Sequence, residues 1–595
     1  VLELKDISFT IPKDDDEIAL IDKASIKVPA GHFMAIVGPS GCGKSTLLKL
    51  IAGINIETEG NVYWQGRDLS EEGDLEPAEL GYVPQFSIAY DHLTVEESIE
   101  SAIRLRVVTH GRAEFFDLVD RVLDQSGMEP IRNRPVKVLS GGQRRRLSLA
   151  MELVTDPMLL LCDEVTSGLD PKSEQEIVKL LHQLSRRDKR IVVNVTHSLA
   201  GLDLYDSVLV LHEGRVVYHG QPRALEHYFS VSEAEEIYPR LAKRSSGDWQ
   251  SSWAKHRDNY YEAVEAASLA SHPSANEAKV VRPKNPTPDL DDDFDGDYED
   301  DFDEEDEIPR TPGFFAQLIA LLMRRTKIFI RDGGQLFLHV AILVGFPVLV
   351  VIFALDGIDA IERLPDTISD NVVKEMEQQS RIFRENLKTG GLISGLIMFQ
   401  VILLTLMGSN NAAREIAAER QIFEKEKLGG LRPASYLASK ILFLGFLVLI
   451  QSVWMALFVQ SICKLPTGNF PAVIALLVLV NAAMTAICLA ISAQARTAEQ
   501  ASLLSIYLVG FQLPLSGAVL ALPAFAEWIA RPFISAYWAW SGGIAALQRS
   551  PFNAVDQVSD TKFAALWVCL TVLAVHVVVG IVVAYLGSLK NRWEH

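Results

Sequence analysis

Six apolar runs crowd the C-terminal half of this sequence: Leu336–Leu355, Leu392–Ser409, Ile441–Cys463, Pro471–Ala493, Ala501–Leu522 and Phe563–Gly587. A hydrocarbon core about 30 Å thick needs roughly 20 helical residues at 1.5 Å each, so every run is long enough to cross one. A soluble core helix explains one such run, but not six in succession. Residues 335–595 therefore read as an all-α polytopic membrane domain of six transmembrane helices, with the lipid bilayer as its partner. Lys and Arg set the orientation. Arg324, Arg325, Lys327 and Arg331 precede the first run, Arg414, Arg420, Lys425, Lys427, Arg432 and Lys440 separate the second from the third, and Lys590 and Arg592 follow the last. Positive residues favour the cytoplasmic side, which places the N-terminal residues and the C-terminal end of the sequence there. The opening stretch Val1–Phe9 reads as a strand, not as a secretory signal. The expected location is a plasma (bacterial inner) membrane.

Residues 1–240 have a different grammar. Strand-like runs at Phe33–Val37, Leu159–Cys162, Ile191–Val195 and Val208–Leu211 alternate with helical stretches, which predicts an α/β layer on a largely parallel sheet. Glu213-Gly214 predicts a hairpin into Arg215–His219. From 241 to 311 the periodicity fades into a linker. Within it, residues 289–307 hold fourteen Asp or Glu and no Lys or Arg. Removing those fourteen charges from the formal total of -20 leaves -6, so the acidity belongs mainly to one segment. That composition predicts disorder. Phe294, Tyr298 and Phe302 recur there at four-residue spacing, a pattern open to a docking peptide as well as to a solvated spacer. An acidic chain without a clustered basic face is not a duplex nucleic acid binder. Five cysteines in 595 residues exclude a disulfide scaffold.

The first site motif is Gly38-Pro-Ser-Gly-Cys-Gly-Lys-Ser-Thr46, which fits G-x-x-x-x-G-K-[ST] between a strand and a helix. Its glycines let backbone N–H groups point at phosphates, and the helix start adds favourable potential. Gly38, Ser40, Gly41, Cys42, Gly43, Lys44, Ser45 and Thr46 are thus candidates for ATP binding. Lys44 would neutralise phosphate charge and Ser45 would offer its hydroxyl to Mg²⁺. Leu160-Leu-Cys-Asp-Glu164 is a buried strand ending in two carboxylates. Asp163 would hold Mg²⁺ through water, and Glu164 would polarise the attacking water.

Leu139-Ser-Gly-Gly-Gln143 resembles the signature of the ABC transporter ATPases. In that family the string opens a helix facing the nucleotide of a second ATPase domain, so Ser140, Gly141, Gly142 and Gln143 would complete a partner's site and a dimer is implied. By the same resemblance Gln85, in Gly81-Tyr-Val-Pro-Gln85, contacts Mg²⁺, Ser167-Gly-Leu-Asp170 is the D-loop, and His197 is the switch histidine at the γ-phosphate. Three departures stand out. Ile11 occupies the place of an adenine-stacking aromatic, which puts base selectivity in doubt. Val165 replaces a proline, and Arg144–Arg146 read as a solvated helix face.

ATPase first and membrane domain second is the reversed order of the G-type (White-like) half-transporters. Residues 312–334, with Phe314, Phe315, Leu318, Leu321, Leu322 and basic Arg324, Arg325 and Lys327, look like their amphipathic connecting helix. Such a helix would lie with apolar residues in the membrane and basic ones at the headgroups. The stretch from Arg414 to Lys440 resembles their coupling loop. The resemblance implies an α/β P-loop NTPase domain (ABC ATPase) ahead of the membrane domain, ATP and Mg²⁺ as cofactors, and ATP-driven export of an amphipathic or hydrophobic substrate. The active form would be a homodimer, or a heterodimer with a related half-transporter. Another reading keeps the ATPase but has it drive a membrane complex mechanically. Phe399, Thr405, Phe511 and Gln512 are the expected substrate cavity, and Val519 and Leu520 the apolar plug beyond it.

Overall fold

The computed structural model describes residues 1–13, 16–86, 89–187, 189–199, 201–270, 311–355, 372–519 and 522–590. The acidic stretch 289–307, with Phe294, Tyr298 and Phe302, lies outside these residues, as does Leu520. The chain divides into two compact units, Val1–Pro312 and Gly313–His595.

Two sheets build the first unit. One is antiparallel, in the order β2 (Asp16–Val28), β1 (Leu2–Lys13), β4 (Glu59–Trp64), β5 (Arg67–Asp68). The other has six strands. β3 (Phe33–Val37) lies between β8 (Ile191–Val195) and β9 (Ser207–His212), with β7 (Leu159–Asp163) and β6 (Leu80–Val83) beyond β8 and the antiparallel β10 (Arg215–Gly220) outside β9. β3, β7 and β8 are buried along their whole length, so they are continuous apolar runs without alternation. Their parallel register brings the ends of β3, β7 and β8 to one edge. Ligands of open α/β sheets gather at the carboxyl ends of such strands.

A helix, Ser246–Ala270, continues this unit past residue 240, where periodicity alone suggests a linker. Buried Trp249 and Trp253 hold it down, and the Tyr261 hydroxyl lies 3.0 Å from Nδ1 of His219 on β10. Full burial pushes the His219 imidazole down to about 3, so it stays neutral within that network.

Among the described residues of the second unit, five segments are long and apolar enough to cross a membrane: Gly333–Ala354, Leu387–Leu428, Pro433–Cys463, Phe470–Gln494 and Leu566–Leu589. Exposed side chains such as Phe337, Val340 and Val344 on the first, and Val575, Val578 and Val582 on the last, are apolar, as contact with lipid requires. The expected fifth span, 501–522, holds the 15-residue helix Ala498–Gln512. At 1.5 Å per residue it reaches about 22 Å, short of a 30 Å core. A 3-10 turn with Pro514 at its start follows, and the Gln512 side chain accepts a bond from Ala536 N at 3.0 Å. The apolar sequence after it contributes to the helix Ser535–Ala545, which is largely buried inside the domain.

The connecting helix is Phe314–Arg331. Phe315, Ile319, Met323 and Ile330 are exposed on it, whereas Arg324 and Arg325 are buried, the reverse of basic residues reaching for headgroups. The arginines turn inward because carboxylates await them: Arg324 Nη2 lies 2.9 Å from Glu426, and Arg325 makes a two-pronged contact with Glu415 at 2.7 and 2.9 Å. Lys440 completes the cluster, 3.0 Å from Glu415 and 2.6 Å from Glu419. These charges tie the connecting helix, the turn after Ala412 and the helix Pro433–Cys463 into one body.

Candidate functional site

The loop between β3 and the helix Lys44–Ile51 carries Gly38, Ser40, Gly41, Cys42 and Gly43. Gly43 has φ +104, and a Cβ there would stand 2.7 Å from the Leu20 carbonyl oxygen, so no other residue fits. Cys42 is buried, which pushes its thiol up, away from reactivity. Lys44 is also buried and curls back into its own loop, with Nζ donating to the Gly38 and Pro39 carbonyls at 3.0 Å each. Its ammonium thus stands in the cradle where a phosphate chain fits. Thr46 is half-buried in the first helical turn.

The Ser45 hydroxyl donates to Asp163 Oδ1 at 2.8 Å, and Tyr82 OH stands 3.5 Å from Oδ2 of the same carboxylate. Burial raises the Asp163 carboxyl above the ordinary range, partly offset by the Ser45 bond. A buried carboxylate beside a hydroxyl is an all-oxygen donor set, and Mg²⁺ prefers oxygen. Gln85 adds to it, since its Nε2 donates to Glu164 Oε2 at 2.8 Å and its amide oxygen is the atom it can offer a cation. Ser45, Asp163 and Gln85 therefore fit the ion.

Glu164 closes the strand end in an unusual backbone state, φ +49, sparsely populated for a residue with a Cβ. Its N–H is bonded to the Val195 carbonyl at 3.1 Å, which holds the kink. The kink sends the carboxylate off β7, where Gln85 holds one oxygen and His197 Nε2 stands 2.6 Å from the other. The structure thus brings Lys44, Ser45, Gln85, Asp163, Glu164 and His197 together at one sheet edge.

It does not bring Ser140–Gln143 to them by hydrogen bonds. Ser140 caps the helix Gly141–Leu153 in a reciprocal box, accepting from Gln143 N at 3.3 Å while its own N–H donates to Gln143 Oε1 at 3.1 Å. A Cβ on Gly141 would meet Leu169 at 3.4 Å, and one on Gly142 would crowd Ser173 of the next helix at 3.3 Å. Asp170 caps the next helix, Pro171–Arg186, by accepting from Ser173 N at 3.1 Å. Ile11 pairs with Ile18 across the β1–β2 ladder, an aliphatic pair in place of an aromatic face.

Arg144–Arg146 form a partly solvated helix face with specific partners. Arg144 pairs with Asp91 at 3.0 Å, Arg145 donates to the Gln85 carbonyl, and Arg146 pairs with Glu176. Arg145 and Tyr82 are thus site residues that sequence reasoning missed. Their only signal was proximity to motifs, the one just after the signature and the other three residues before Gln85.

In the membrane domain the expected cavity residues part company. Phe399 and Val519 line one cavity of about 400 Å³ with Ser394, Asp560 and Thr561. Phe511 lies on an exposed face. Thr405 is fully buried and bonds its own helix at Ile402 O, 2.7 Å, and Gln512 is buried on Ala536; neither is among the residues that line this cavity or the larger groove of this domain. A larger groove of about 1040 Å³ runs between the connecting helix, the end of Val372–Ala412 and the helix Ala498–Gln512.

Two family models match the chain: ABC transporter over residues 21–167 and ABC-2 type transporter over 316–538. The chain belongs to the ABC transporter family: an ABC ATPase domain is followed by an ABC-2 type membrane domain, the fused ATPase–permease arrangement of a half-transporter. Among its relatives is the ABC transporter ATP-binding/permease protein Rv1747 of Mycobacterium tuberculosis, 28% identical over 530 residues, which cover 87% of this chain and 54% of that protein. The sulfate/thiosulfate import ATP-binding protein CysA of Mycobacterium bovis is 36% identical over 207 residues, covering 35% of this chain and 58% of CysA. The chain thus spans little more than half the length of these curated relatives. A solved dimer of the ATP-binding cassette MJ0796 with ADP and Pi aligns over 38% of this chain and 99% of its own, at 28% identity and a TM-score of 0.34.

Proposed function

We propose that this chain is a G-type half-transporter that exports an amphipathic or hydrophobic substrate, such as a lipid or drug-like molecule, as a homodimer. The observation that carries the reading is a complete hydrolytic cluster in the same chain as an ABC-2 type membrane domain with a large amphipathic groove. When bound, ATP–Mg²⁺ supplies a polarised phosphoanhydride to this cluster. Lys44, now on the loop carbonyls, would bind phosphate oxygens, and Ser45, Asp163 and Gln85 would hold the ion. Glu164, fixed from both sides, orients the attacking water and accepts its proton. The helix start at Ser140–Gln143, satisfied only by its own capping box, suits the γ-phosphate held by a second copy. The substrate would contact Phe399 and Phe511, with Val519 at the apolar constriction. Lys and Arg placement supports an ATPase domain on the cytoplasmic side, and the membrane would be a plasma (bacterial inner) membrane.

Reconstitution in liposomes tests this. ATP-dependent accumulation of an amphipathic dye in vesicles with outward-facing ATPase domains, together with stimulated hydrolysis, is the expected result. Hydrolysis without accumulation of any probe would favour the mechanical reading.

A further inference from the structure

The walls of the large groove run from apolar to polar in the same direction on both sides. Along Val372–Ala412 the lining passes from Ile402 and Leu406 to Ser409, Asn410 and then Arg414, with about 15 Å between Ile402 and the helix end. Along Ala498–Gln512 it passes from Leu513 and Val509 back to Ser502. The two polar ends meet, since Arg414 Nε donates to the Ser502 hydroxyl at 2.5 Å. A ligand that fills this groove has an apolar body and one polar end.

The charges at that end decide its sign. Arg325 is forked onto Glu415, and Lys440 lies behind Glu415 and Glu419. Asp332 accepts the Gln335 N–H at 3.0 Å, capping the helix Gly333–Ala354, and His339 Nδ1 lies 2.8 Å from the Gln335 carbonyl. Arg414 is different: it is exposed, and among the described residues no carboxylate pairs with it. A guanidinium offers a planar fork of donors that matches phosphate. A cationic head would meet Glu415 and Glu419, already matched by Arg325 and Lys440, and Asp332, already engaged at its helix cap.

We infer that the groove binds an amphiphile with an anionic, phosphate-class headgroup, the head on Arg414 and the apolar body along Ile402, Leu406, Val509 and Leu513. This rests on the transporter reading above and names its substrate class.

The test uses the full chain in phosphatidylcholine nanodiscs, with short-chain fluorescent phosphatidic acid and the matching fluorescent diacylglycerol as probes, read by anisotropy. The expected result is saturable binding, about tenfold tighter for phosphatidic acid. Arg414→Gln should abolish that preference with diacylglycerol affinity unchanged, and Arg414→Lys should keep part of it. Ile506 lines the groove between Ser502 and Val509, so Ile506→Trp, which fills its apolar half, should weaken both probes, and millimolar inorganic phosphate should displace neither. Equal affinity for the two probes, or an undiminished preference in Arg414→Gln, overturns the inference and leaves the transporter reading standing. Displacement by inorganic phosphate overturns it in favour of a free-anion site. Non-saturable uptake of both probes, indifferent to Ile506→Trp, overturns it together with the substrate groove.

Discussion

Glu415→Gln isolates one electrostatic demand of the membrane domain. Glu415 Oε1 accepts from both Arg325 Nε and Lys440 Nζ, and Oε2 accepts from Arg325 Nη2. A glutamine keeps one acceptor and turns an NH₂ group toward a donor. The four charges Arg325, Lys440, Glu415 and Glu419 balance two against two, so the variant leaves one net positive charge in a buried cluster. Breaking a buried pair from one side costs about 3–5 kcal/mol. For a unit of this size each kcal/mol moves the midpoint by roughly 2–4 °C, so the loss should be about 6–20 °C. Thermal unfolding of purified protein in detergent, followed by tryptophan emission, measures it. The double variant Arg325→Met with Glu415→Leu removes one charge of each sign and leaves Lys440 on Glu419 at 2.6 Å. It should therefore lose less than Glu415→Gln alone. A midpoint within 2 °C of wild type for Glu415→Gln, or a double variant that loses more, would refute the reasoning.

Three further outcomes follow from the ATPase domain. Because burial raises the Asp163 carboxyl, the native state holds its proton more readily than the unfolded chain, and stability falls as pH rises from the ordinary Asp range through the raised one. Asp163→Asn should accordingly raise the melting temperature of the nucleotide-free protein at neutral pH while Mg²⁺-dependent hydrolysis is lost; a lower melting temperature would contradict this. Arg145→Ala removes a charge-assisted bond to the Gln85 carbonyl, so hydrolysis should fall about tenfold with ATP affinity nearly unchanged, as steady-state kinetics beside nucleotide titration can decide. Trp253→Ala should destabilise the ATPase domain by about 3–5 kcal/mol in denaturant titration, since the helix Ser246–Ala270 is core and not spacer.

The hydrolytic cluster was legible because its parts are short strings whose geometry needs specific residues. A backbone curled around phosphates needs Gly43, and a carboxylate at a strand end needs Asp163 or Glu164 beside it. What bonds to those strings was not legible. Arg145 looks like any basic residue on a helix until the Gln85 carbonyl is placed beside it. Apolar length did not foretell where the helix Ala498–Gln512 ends, because hydropathy does not register Pro514, or that Gln512 has a partner at Ala536. The same blindness hid the largely buried helix Ser535–Ala545 and the inward turn of Arg324 and Arg325 toward carboxylates about a hundred residues away in sequence. Thr405 and Gln512 read as cavity residues because intramembrane polar groups often are, and the bond each makes inside the domain was not legible in the sequence.

The account centres on Glu164 as the residue that turns bound ATP into work, and one paired measurement tests it. ATP affinity and hydrolysis rate are determined together for wild type and Glu164→Gln in the full chain in lipid. Retained affinity with turnover lower by about 10²-fold or more is the predicted result, since the general base is lost while Lys44, Ser45 and Asp163 remain. Turnover close to wild type would contradict the central claim.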